Sequence, residues 1–152
     1  MKPTLSTVCA LLAAAFAAAP ALAGLGGNGT SIQSDLARMK GALRVNTSPG
    51  GYSVHEITLA SGTVVREYVS SADKVFAVSW NGPFMPDLSQ LLAGYYGQYQ
   101  QAASTPHAGG HRHLAIHQPN LEVQASGRMR AYAGRAWAPD LLPQNFAVSD
   151  IN

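Results

Sequence analysis

Past residue 50 the chain is written as short runs of β-branched and aromatic residues, each closed by a turn signal. Residues 52–59 and 63–70 flank Ser61-Gly62, a spacing that fits a tight hairpin. Residues 71–73 make the next turn and 75–80 the next strand. By the two-residue period Phe76, Val78 and Trp80 share one face of it, and Val75, Ala77 and Ser79 the other. The pattern returns at 113–117, where Leu114 and Ile116 point inward, and turns at Gln118-Pro119-Asn120. Leu121, Val123 and Ala125 then alternate with Glu122, Gln124 and Ser126, as in a half-buried strand. Ser126-Gly127 reads as a hairpin turn, with 128–137 as the last strand.

Two helical stretches precede these groups of strands. Thr30 with Gln33 forms a capping-box pattern, and Ile32, Leu36, Met39 and Leu43 follow at helical spacing. Asp35 early and Arg38 and Lys40 late suit the helix dipole. Residues 46–51 are a turn-rich break. Asp87 with Gln90 is a second capping-box pattern, and Leu88, Leu91, Leu92, Tyr95, Tyr99 and Ala102 make one continuous stripe. The order α-β-β-β-α-β-β-β predicts an α+β fold: a mostly antiparallel sheet of about six strands in two meanders, each preceded by a helix. Ser61-Gly62 and Ser126-Gly127, each leading to an Arg and a Tyr, suggest a duplicated unit.

The first 23 residues stand apart. Seventeen of them are apolar and only Lys2 is charged. Lys2, the apolar run 8–19 and Ala21-Leu22-Ala23 read as the three parts of a secretory signal. The run is short of the roughly 20 apolar residues that span a bilayer, although a retained anchor is the alternative reading. Cleavage near Ala23 removes Cys9, the one cysteine, which excludes structural disulfides, thiolate metal sites and a cysteine nucleophile from the mature chain. The expected organisation is therefore a signal at 1–23, a flexible lead-in without packing content at 24–29, one domain at 30–143 and a tail at 144–152. The expected destination is the periplasm or beyond, with no membrane span after processing.

The mature 129 residues hold nine Lys or Arg against eight Asp or Glu. So even a balance argues against nucleic acid as the partner, because phosphate neutralisation needs a basic surplus. No phosphate loop, dinucleotide fingerprint, nucleophile elbow or zinc-protease helix is present.

Three groups of residues are candidates for a site. His107, His111, His113 and His117 fall within eleven residues, and the last three share the wetter face if Leu114 and Ile116 face the core. Neighbours two apart on a strand lie roughly 6.5–7 Å apart, within reach of one divalent transition metal such as zinc, copper or nickel. The competing reading is a polar, His-rich edge. His55 and Glu56 face Arg66 and Glu67 across a hairpin, a minimal acid–base set or simply cross-strand charge pairing. Arg128, Arg130 and Tyr132 alternate on the last strand, as a surface binding patch or as edge protection. Trp80 and Trp137 read as core anchors.

The runs Arg66-Glu67-Tyr68-Val69-Ser70, Phe76-Ala77-Val78-Ser79-Trp80-Asn81-Gly82-Pro83, Pro86-Asp87-Leu88 and Met129-Arg130-Ala131-Tyr132-Ala133-Gly134-Arg135-Ala136-Trp137, with the Leu-Gly-Gly at residue 25, are distinctive. The chain resembles a family of short exported proteins of Gram-negative bacteria classed as a domain of unknown function. The likeness runs from about residue 25 to 143 and implies export and a single domain. It carries no activity, cofactor or catalytic residue. The expected function is that of an exported non-enzymatic protein binding a partner or an envelope component, with metal binding and an unassigned enzyme as the alternatives.

Overall fold

In the computed structural model, which describes residues 24–105 and 113–152, the first helix stops earlier than its periodicity predicts. Helix α1 (Ile32–Met39) ends on Lys40 in the left-handed region, φ 50°. Gly41 follows, and a Cβ there would lie 2.5 Å from Ile57 Cγ2, so the chain turns back tightly onto the sheet. Ala42–Thr47 is then strand β1, and Leu43, counted on the helical stripe, pairs with Ile57. The expected capping box at Thr30 does not form. A 3-10 turn (Gly29–Ser31) precedes the helix, and Ser31 Oγ donates to Asn28 O.

Strands β2 (Tyr52–Thr58), β3 (Val64–Ser70) and β4 (Val75–Gly82) continue the meander. After helices α2 (Leu88–Leu92) and α3 (Tyr96–Ala103) come β5 (His113–Gln118), β6 (Leu121–Arg128) and β7 (Ala131–Trp137). The strand order β1-β2-β3-β4-β7-β6-β5 joins the meanders into one antiparallel sheet of seven described strands. The α+β class stands, with one strand more than expected. No helix among the described residues is long and apolar enough to cross a membrane.

Two registers depart from simple alternation. A bulge between Tyr68 and Val69 and their partners on β4 puts Val75, Val78 and Trp80 in one core, and Phe76 and Ala77 in another. Phe76 therefore leaves the face it was expected to share with Val78 and Trp80. The last hairpin turns at Met129 and Arg130, not at Ser126-Gly127. That register sets Val123 beside Ala136 in the core and Gln124 beside Arg135, and Arg130 takes φ 60° to allow it. With Ser126-Gly127 inside a strand, the parallel with the Ser61-Gly62 turn is lost.

Residues 24–29, expected to carry no packing, are built into the fold. Leu25 is 1% exposed, its N–H donates to Leu91 O, and Gly26 and Gly27 exchange hydrogen bonds with Val75. A Cβ on Gly24 would fall 2.4 Å from Gln90 O, so only glycine lets the chain pass there. This insertion occupies the end of α2. The expected continuous second helix breaks at Ala93 (φ 45°, ψ −118°) and resumes as α3.

The helices and residues 24–29 cover one face over Ile57, Val65, Val78, Trp80 and Val123. Residues 139–152 cross the opposite face as a strap, with Phe146 against Tyr52, Tyr68 and Phe76. Both tryptophans anchor cores: Trp80 lies under the helices, Trp137 under the strap. A Cβ on Gly134 would meet the Trp80 ring at 2.3 Å, so that strand position is kept bare.

Candidate functional site

The strap covers only half of its face. Strand alternation sends Ser79 and Asn81 of β4, Ala133 and Arg135 of β7, Gln124 and Ser126 of β6, and His113 and Ala115 of β5 to that same side. Beside the last two residues of the strap they line an open groove of about 780 Å³. The floor is wide because the side chains along it are small: Ala115, Ser126, Ala133 and Ser79.

A polar row crosses the sheet here, with Glu56, Arg66, Ser79, Arg135 and Gln124 in successive register. Arg66 Nε donates to Glu56 Oε2 at 2.9 Å. Arg66 Nη1, the Tyr68 hydroxyl and Ser79 Oγ all donate to Asn152 O at 2.9–3.0 Å. Arg135 Nη1 donates to the carbonyls of Val148 and Ile151, while Nε and Nη2 donate to Gln124 Oε1. The guanidinium also lies 5.7 Å from the Trp137 ring centroid. Among the described residues no carboxylate pairs with Arg135. Its charge therefore stands at the groove wall with only neutral acceptors around it, a setting that favours an anionic or strongly dipolar ligand group.

A second polar cluster lies under the helices and is closed to solvent. Asp35 of α1 and Glu67 of β3 are both 0% exposed. Gln90 Nε2 donates to Asp35 Oδ1, so three elements meet at one pair of carboxyls. Burial, and then the neighbouring Asp35 charge, push the Glu67 carboxyl up to about 9, so at neutral pH it is protonated and shares a hydrogen bond with Asp35. Asp35 is also raised by burial, with the Gln90 hydrogen bond opposing.

The model of a family described as "Protein of unknown function (DUF2844)" matches residues 21–151. The chain belongs to that family. No curated protein and no solved structure matches it.

The two described histidines of the 107–117 group are well separated in this DUF2844 chain. His113 stands at the groove rim, and His117 lies four residues along the same face, roughly 13 Å away at strand rise. His117 Nδ1 lies 2.6 Å from Glu122 Oε2 as a cross-strand pair. His107 and His111 lie outside the described residues. Among the described residues no group of three or more His, Cys, Asp or Glu is placed to hold a metal ion.

Arg128, Arg130 and Tyr132 do not form a row. Arg128 shares the groove face with Ser126 and Gln124, Arg130 sits in the turn, and Tyr132 has the parity of Ala136 on the helix face. His55 and Glu67 are direct cross-strand partners, as expected. Glu67, however, is sealed beneath α1, and His55 Nε2 bonds Ser53 Oγ at 3.1 Å. Burial lowers the pKa of the half-buried His55, and its carboxyl partner Glu67 is out of reach of a substrate. The strap, and with it the groove, has no sequence motif. Its one visible signal is Phe146, Val148 and Ile151 spaced through a segment otherwise polar.

Proposed function

We propose that the protein is exported and acts by binding, taking an extended partner or envelope component in the groove beside the strap. The observation that carries this reading is the half-covered sheet face: a wide floor of small side chains, neutral hydrogen-bonding groups in register, and at the wall a guanidinium that no carboxylate among the described residues pairs with. Seryl, amide and imidazole groups in a grid of strand spacing suit a ligand that is itself extended and rich in donors and acceptors. The apolar run at 8–19 followed by Ala21-Leu22-Ala23 supports export.

The test is a photocrosslinking residue in place of Ala133, on the groove floor, compared with the same residue in place of Ala37, exposed on α1. In the envelope fraction, where the processed chain is expected to begin at Gly24, a discrete adduct is expected from position 133 alone. No adduct at 133, or the same adduct from both positions, removes the reading.

A further inference from the structure

The end of the sheet where β4 stops and β7 begins carries three exposed apolar side chains on two neighbouring loops. Phe84 is 59% exposed, Met85 44% and Met129 91%. The loops adjoin because Gly82 pairs with Tyr132, and Arg128 with Ala131 across the β6–β7 turn.

Neither loop is slack. Thr63, 0% exposed, both donates its hydroxyl to Phe84 O (2.8 Å) and accepts from Phe84 N–H (3.3 Å). Pro83 and Pro86 bracket Phe84 and Met85. The turn closes in two residues, with Met129 at its tip between two exposed arginines. A soluble surface gains nothing by fixing a phenylalanine outward, so the arrangement calls for an apolar medium facing it.

The charges favour one kind of medium. Lys40, just before β1, joins Arg128 and Arg130 at this end, and residues 82–86 and 127–131 contain no acid. The neighbouring Asp87 is turned into the N-terminus of α2, accepting from Ser89 and Gln90 N–H. At the opposite end of the strands Asp73, Glu122 and Asp140 outnumber Lys74. The molecule is thus polarised along its strands, apolar tips within the positive pole. Three side chains on convex loops offer far less than the roughly 800 Å² per partner of a stable protein interface. They suit shallow insertion among lipid headgroups, with arginines at phosphate level.

We propose that this end of the sheet docks the protein on an anionic phospholipid bilayer. It goes beyond the groove reading and does not depend on it. Co-sedimentation of the whole protein with phosphatidylglycerol–phosphatidylethanolamine vesicles, against phosphatidylcholine alone, tests it. Binding is expected to the anionic vesicles, to weaken with salt, and to persist in Ala133→Trp, which fills the groove. Phe84→Ser/Met129→Ser is expected to lower partitioning at least about tenfold. Arg128→Gln/Arg130→Gln is expected to lower it about thirtyfold. All four positions are exposed, and an unchanged melting temperature certifies the fold. No binding to anionic vesicles, or binding indifferent to both double variants, overturns the proposal. So does a photocrosslinker at 129 that labels a discrete protein instead of lipid.

Discussion

Glu67 occupies a position that strand alternation assigns to an apolar side chain, between Val65 and Val69 on the helix-facing side of β3. An acid at such a position is a visible anomaly in the sequence, but its partner was not. Asp35 lies three residues after Ile32, on the same side of the helix, yet the dipole offers a sufficient local reason for an early aspartate. Gln90 likewise matches a capping box, and the structure spends its amide on Asp35 instead, leaving Asp87 to cap α2 alone. Local rules explained each residue separately, so the cluster they build was illegible. Its consequence is a pH dependence with a definite sign. Both carboxyls have raised pKa values in the folded state, so the native protein holds protons that the unfolded chain releases. Their contribution is complete below the ordinary carboxyl range and is lost as pH rises toward about 9. Glu67→Gln keeps the shape and a donor for Asp35 without the titration. Denaturant midpoints measured from pH 5 to 9 are expected to fall for the wild type and to stay much flatter for the variant. Parallel curves would show that the pair does not titrate in this range.

At the scale of elements, strands with a clear two-residue period were readable and their turns less so. Val123, Ala125 and Leu121 alternate, so β6 was expected, but Ser126-Gly127 is a turn signal that the pairing of Gln124 with Arg135 overrides. Strand β1 was hidden because Leu43 continues the helical stripe and residues 46–47 open the turn-rich break, and the left-handed Lys40 ends the helix before either. The break in the second helix had no local cause to read. It comes from residues 24–27, some 60 positions earlier, whose Leu25 N–H takes the Leu91 carbonyl. This makes Leu25 an ordinary core residue despite its glycine-rich surroundings. Leu25→Ala is expected to destabilise the protein by about 2–4 kcal/mol, as large-to-small changes in a core do. A change within about 0.5 kcal/mol, the usual range for surface sites, would mean that the segment lies loosely on the body. Urea midpoints of the two proteins distinguish these outcomes.

The whole molecule is a sheet with unequal faces. One is roofed by helices and residues 24–29, the other half covered by residues 139–152, and the groove lies on the uncovered half beside Ile151 and Asn152. The sequence showed six of the seven strands but could not show which of them become neighbours or what lies across them, since these contacts join positions 50 or more residues apart. The strap also terminates hydrogen bonds that the sheet cannot satisfy alone: Arg66, Tyr68, Ser79 and Arg135 all donate to its carbonyls. Deleting residues 144–152 removes those acceptors and takes Phe146 from among Tyr52, Tyr68 and Phe76. Phe146→Ala alone is expected to cost about 2–3 kcal/mol, below the value for a fully buried ring because Phe146 is only half-buried. The deletion is expected to cost more, which is a large share of the 5–15 kcal/mol typical of a domain. Because the helix-side core meets the strap's aromatic cluster through Leu141, which the deletion leaves in place, far-UV circular dichroism should be largely retained while a hydrophobic dye binds the uncovered face. Equal melting temperatures and no dye binding would mean that the second face is stable bare; a graded loss from Phe146→Ala to the deletion is what a structural strap requires.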